Sequence, residues 1–129
     1  MKFFERKAFE AAKGLQKEQH QTREALDRLK AAQKEEEGTV KWLEQVSPFI
    51  HERDSSARKL NRLAAELTLA QAESKNEIAE EKQNQLAEEL KNFDAINARI
   101  EETEESIGFK MSDKYSVRDI DIEQLRSLV

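Results

Sequence analysis

The sequence predicts an all-α fold: an elongated antiparallel helical hairpin followed by a short third helix. Three observations lead there. Charged residues make up 38% of the 129-residue chain, with only three glycines and one proline, a balance suited to long helices. Apolar residues recur at alternating steps of four and three over about 50 residues, the signature of a heptad seam. The only tryptophan, Trp42, and the only proline, Pro48, lie together inside that pattern. A proline within a helix removes a backbone hydrogen bond and crowds the carbonyl four residues earlier. Tertiary packing is therefore expected to hold the helix at this point, with Trp42 as a core anchor.

The first seam runs Phe4, Ala8, Ala11, Leu15, Glu18, Thr22, Ala25, Leu29, Ala32, Glu36, Thr39, Leu43, Val46 and Ile50, broken only by Glu18 and Glu36. Phe9, Ala12, Leu26, Val40 and Trp42 widen it, which suits a helix with more than one neighbour. One helix is expected from Phe3 to Arg53, roughly 75 Å long at 1.5 Å per residue. Gly14 and Gly38 each weaken it by about 1 kcal/mol, and Gly38 is a candidate bend. Asp54-Ser55-Ser56 is the expected break, because such side chains accept hydrogen bonds from the free amides of a new helix.

A second stripe follows through Leu60, Leu63, Leu67, Ala70, Ser74, Ile78, Lys82, Leu86, Leu90, Phe93, Asn97, Ile100, Glu104 and Ile107. Its step is four throughout from Ile78 to Leu90, and Gln71–Gln85 is its least apolar part. The short connection between the two helices predicts that they pack antiparallel. Gly108 suits a C-cap, and Ser116-Val117-Arg118-Asp119 resembles a capping box opening a third helix on Val117, Ile120, Leu125 and Leu128. The residues expected in the core or at an interface are Phe4, Leu15, Leu29, Trp42, Leu43, Val46, Pro48, Phe49, Ile50, Leu60, Leu67, Ile78, Leu86, Leu90, Phe93, Ile100 and Ile107.

Charge supports the hairpin. Residues 1–34 hold nine basic and five acidic side chains, a net +4; residues 66–105 hold four basic and twelve acidic, a net −8. Antiparallel packing lays the basic start of the first helix along the acidic end of the second. Exposed pairs contribute about 0.2–1 kcal/mol each, so they set register more than stability.

Several functions are disfavoured. With no cysteine there is neither a disulfide framework nor a thiolate metal site. No apolar run approaches the roughly 20 residues that span a bilayer, and the chain reads as cytosolic. Basic residues alternate with acids in a chain of net charge −5, so the electrostatic footprint of nucleic-acid binding is missing. His20 and His51 each have one carboxylate companion, Glu24 and Asp54, short of the three or four ligands a metal needs. Asp119-Ile120-Asp121-Ile122-Glu123 lacks the glycine turn of a calcium loop. Glu80-Glu81 and Glu101-Glu102 are adjacent on a helix, about 100° apart, and do not converge on a substrate. No phosphate loop or nucleophile motif is present, and the chain is not expected to be an enzyme.

Two segments carry a family resemblance. Trp42-Leu43, then Pro48-Phe49-Ile50 and Arg53, resembles the end of the first helix of a spectrin-type repeat as found in the α-actinin rod. Lys114-Tyr115-Ser116-Val117-Arg118-Asp119-Ile120, followed by Glu123-Gln124-Leu125, is similar to the entry into the third helix of such a repeat. The resemblance covers roughly residues 36–129 as a single repeat, with 1–35 as a connecting neck helix. Two features depart from the family. The third helix is short, and the tryptophan often found within it is missing, Ile122 lying near that place. Either the sequence ends inside the repeat, or the rod is shortened and a partner supplies the missing face.

The resemblance implies a structural rod and dimerisation module of an actin cross-linking protein, spacing two actin-binding regions within the cytoskeleton. Actin binding and any calcium response belong in that case to flanking domains, and no cofactor is expected here. Two striped helices with only a short third leave apolar surface exposed. Burying it, at about 25 cal/mol per Å², favours a second copy packed antiparallel to give a four-helix middle. Glu18 and Glu36 then either reach water at the edge of the seam or tune its register. The alternative is a helical scaffold or membrane-tethering adaptor unrelated to actin.

Overall fold

The computed structural model describes residues 2–117 and 120–129, with side chains from Lys7 onward. The chain forms α1 (Lys2–Gln45), α2 (Ser47–Ala72), α3 (Asn76–Ile107), a 3-10 turn over Ser112–Tyr115 and α4 (Ile122–Ser127). No strand occurs among the described residues. It divides into two compact units, Met1–Glu37 and Gly38–Val129. The expected Phe4 side-chain contacts, and Arg118 and Asp119 of the expected capping box, lie outside the described residues.

The first unit is the leading part of α1, in which every side chain from Lys7 to Glu37 is exposed. In the second unit, the last turns of α1 and the whole of α2 face α3. Trp42 hydrogen-bonds Glu104, Ser56 hydrogen-bonds Glu89, and Lys82 pairs with Glu66 at 2.7 Å. Residue numbers fall along α3 as they rise along α1 and α2, so the pair is antiparallel. Between the helices lie two apolar clusters. Trp42, Val46, Ile50, Ile96 and Ile100 form one, and Leu60, Leu63, Leu67, Leu86, Leu90 and Phe93 are the main residues of the other.

Pro48 marks the junction of α1 and α2. It has no N–H to offer the Glu44 carbonyl, so the helix is interrupted there. Val46 stays right-handed at φ −104°, ψ −39°, accepts from Ile50 N at 3.2 Å and donates to Trp42 O at 2.8 Å. The chain therefore passes the proline with one turn adjusted and both flanking helices intact.

The expected break at Asp54-Ser55-Ser56 is incorrect: α2 runs straight through it. The capping side chains are engaged elsewhere, with Ser56 Oγ donating to Glu89 and Ser55 Oγ accepting from Arg58. Burial also continues without a gap from Ile50 through Arg53, Ala57 and Leu60 at helical spacing. The expected helix of Phe3–Arg53 thus ends early at Gln45, and the expected second helix is two helices. The hairpin turns instead at Glu73-Ser74-Lys75, inside the poorly apolar stretch Gln71–Gln85. Lys75 N donates to Ala70 O at 2.9 Å and Ser74 N to Gln71 O at 3.1 Å, the paired bonds of a Schellman turn. Ser74 holds the left-handed position at φ 57°. Residues 66–105 accordingly fold on themselves, and their acids find partners in the second unit: Glu66 with Lys82, Glu89 with Lys59, Asp94 with Arg126.

Gly108, at φ 68°, ends α3 as expected, donating to Glu104 O. The third helix starts later than the capping-box reading places it. Asp121 is its N-cap, accepting from Gln124 N at 3.2 Å. Leu125 joins the larger apolar cluster, Arg126 makes a two-pronged pair with Asp94, and Gln83 donates to Leu128 O. α4 therefore runs antiparallel to α3. Gly38 is explained by close packing rather than by a bend: a β-carbon there meets the Phe109 ring at 2.5 Å, whereas one at Gly14 meets nothing within 4 Å.

Four substitutions test these points. Ser74→Gly removes left-handed strain and is expected to stabilise the chain by about 0.5–1 kcal/mol, while Ser74→Pro destabilises it by about 3 kcal/mol or more, both read by chemical denaturation. Gly14→Ala is expected to raise helicity with a gain of up to about 1 kcal/mol. Gly38→Ala forces Phe109 aside and lowers stability by about 1 kcal/mol despite the better helix former.

Candidate functional site

The most elaborate polar arrangement in the second unit surrounds Glu104. Its position on the inner face of α3 leaves it 3% exposed. Gly108 ends the helix one turn later, so the following segment folds back over the carboxylate. Oε2 accepts from Trp42 Nε1 at 3.0 Å, Met111 N at 2.8 Å and Ser112 N at 3.0 Å, and Oε1 accepts from Ser112 Oγ at 2.5 Å. Trp42 in turn stacks on Tyr115 with ring centroids 5.2 Å apart. The Tyr115 carbonyl accepts from Arg53 Nη2. One carboxylate thus ties the end of α1, the end of α3 and the entry to α4 together. Burial pushes its titration up, but the Ser112, Trp42 and Met111 donors outweigh burial and hold it below the ordinary 4.5.

A second buried carboxylate, Glu89, lies on α3 beside Leu86, Leu90 and Phe93 of the larger apolar cluster. It accepts from Ser56 Oγ at 2.7 Å and Asn92 Nδ2 at 3.1 Å, and pairs with Lys59 at 3.2 Å. Burial raises its pKa and these three partners more than offset it, so it too is held low. Both groups are saturated with protein donors, and their geometry is that of structural clasps. Among the described residues, no group of three or more His, Cys, Asp or Glu is placed to hold a metal ion. His20 pairs with Glu24 at 3.2 Å on an exposed face. Asp121 serves α4 as its cap, and no described helix is long and apolar enough to cross a membrane.

Among the described residues, apolar surface stays open at two places in particular. A groove of about 860 Å³ lies between α2 and α4, floored by Ala64, Ala65, Leu125 and Leu128 and edged by Leu69. The other is the stripe of α1, where Phe9, Leu15, Leu26 and Leu29 are each at least half exposed.

The structure separates the expected core and interface positions into two sets. Trp42, Val46, Ile50, Leu60, Leu67, Leu86, Leu90, Phe93 and Ile100 are buried, and Phe49 and Ile107 are half-buried beside them. Leu15, Leu29, Leu43, Pro48 and Ile78 are exposed. Ile78 stands on the outer side of the hairpin tip, and its neighbour Ala79 packs inward instead. Sequence reasoning placed Glu104 on the second stripe and Ser56 in a helix cap, and gave no role to Glu89 or Ser112. The available signal was a Glu between Ile100 and Ile107 on the seam, followed by a glycine stop and a serine-bearing loop.

Comparison with known proteins returned no matching family model, no matching curated protein and no matching solved structure.

The Glu104 clasp is testable by substitution and by pH. Glu104→Gln turns one acceptor into a donor facing buried N–H groups and is expected to cost about 2–3 kcal/mol. Since the folded carboxyls of Glu104 and Glu89 titrate lower than in the unfolded chain, their stabilisation is complete above about 4.5 and is lost as the pH falls further. Thermal melts from pH 7 to 3 should show a Tm falling below that point, with a shallower fall in Glu104→Gln.

Proposed function

We propose that this chain is a structural rod and dimerisation module of an α-actinin-like actin cross-linking protein, spacing two actin-binding regions carried by flanking sequence. The observation that carries this reading is the exposed heptad stripe of α1 preceding an antiparallel helical unit with a buried tryptophan. A helix with so much uncovered apolar surface is suited to association, since packing of an amphipathic face supplies most helix stability in proteins. The order of Trp42, Pro48, Phe49, Ile50 and Arg53 supports the spectrin-type reading. So does the placement of α4 along the hairpin in the direction of a third repeat helix. In this reading the Glu104 clasp stiffens the repeat, the partner is a second copy, and the location is cytoskeletal.

Sedimentation equilibrium of the whole chain at micromolar concentration is expected to give a dimer. Fused behind a monovalent actin-binding module, the chain is expected to bundle filaments into a low-speed pellet, where the module alone only decorates them. A monomer at all concentrations, with no bundling by the fusion, contradicts the proposal. Co-sedimentation of the isolated chain with liposomes favours a membrane-tethering adaptor instead.

A further inference from the structure

The seam of α1 has a second regularity besides its heptad spacing. About residue 20 its positions are complementary to their own reverse: Ala11 mirrors Leu29, Leu15 mirrors Ala25, and Glu18 mirrors Thr22. Each pair of numbers adds to the same total, so two such helices running in opposite directions bring all three pairs into register at once. Large then meets small in the two apolar layers on either side of the centre, a carboxylate meets a hydroxyl at the centre, and Ala8 meets Ala32 one layer further out.

We infer that α1 forms an antiparallel two-stranded coiled coil with α1 of a second copy of this chain, centred on residue 20. This rests on the self-association proposed above and specifies where and in which direction it occurs. Leu15 and Leu29 are 60% and 62% exposed, so the faces are free to meet. Coiled-coil seams pack knobs into holes at interior density, and an even layer thickness avoids voids. The antiparallel register gives Leu against Ala in the apolar layers next to the centre. A parallel, in-register pair instead gives Leu against Leu and Ala against Ala, alternately too thick and too thin.

Charge selects the same direction. A parallel pair sets Glu18 against Glu18 of the second copy, two like charges in one layer. The antiparallel pair sets each Glu18 beside a Thr22. Thr22 Oγ1 donates to the Glu18 carbonyl at 2.9 Å, and rotation of the hydroxyl exchanges that bond for one to the facing carboxylate. Beside the seam, Leu26 comes near Ala12 of the second copy, again large with small. The same central carboxylate disfavours a lipid surface as the occupant, since burying an ionised group in an acyl layer is costly without a partner.

The chain has no cysteine, so cross-linking reads the geometry directly. Leu15→Cys and Ala25→Cys are made separately in the full chain, then oxidised alone and as a mixture. The mixture is expected to form a disulfide-linked dimer at least about tenfold faster than either variant alone. Ala11→Cys mixed with Leu29→Cys is expected to behave alike, which covers the case of one site disturbing the helix. Rapid linking of Leu15→Cys with itself overturns the proposal in favour of a parallel pair. If neither mixture links while the unmodified chain sediments as a dimer, this register is wrong and self-association through another surface stands. A monomeric chain, whether or not it pellets with anionic phosphatidylserine vesicles, overturns both.

Discussion

The burial of one carboxylate, Glu104, organises the second unit. A charge removed from water is tolerated only when hydrogen bonds replace its hydration. Here four donors do so, from Trp42, from Met111 and twice from Ser112. Satisfying this group fixes the path of the chain after Gly108. That path places Tyr115 on Trp42 and its carbonyl at Arg53. Leu125 of α4 sits in the larger apolar cluster beside this arrangement. A buried carboxylate held by four directional donors also specifies a single packing more sharply than apolar contact does.

Two kinds of surface coexist in the chain. In the second unit the apolar stripe is divided between facing helices and largely covered. In the first, the stripe is as regular and stays open. The contrast follows from side-chain size. Residues 42–107 supply Trp, Phe, Leu and Ile at successive inward positions, whereas α1 alternates leucine with alanine, threonine and glutamate. Such a thin seam suits close approach by a matching helix, with large and small side chains alternating across it.

The all-helical class and the Gly108 stop were legible in the sequence because each rests on a local signal, periodicity or a glycine. The position of the hairpin turn was not. Asp54-Ser55-Ser56 carries the stronger capping chemistry, but the spacing of Ile50, Arg53, Ala57 and Leu60 never loses phase, and packing overrides the caps. The true turn, Glu73-Ser74-Lys75, has neither glycine nor proline, and its only marker was the scarcity of apolar residues between Gln71 and Gln85. Placing the turn there changes which segments face one another. Within the second unit it sets Glu66 opposite Lys82. The clasp was illegible for a different reason: Glu104 reads as one more glutamate in an acidic helix until the loop after Gly108 is seen to fold over it.

The central claim is that one unit is complete in itself while the other is completed by association. Hydrogen exchange on the intact chain, from dilute to high micromolar concentration, measures both at once. Amides of residues 42–107 should be protected equally at every concentration, while those of 7–33 slow as concentration rises. Rapid exchange throughout 7–33 at all concentrations, or protection of 42–107 that itself depends on concentration, would contradict the account.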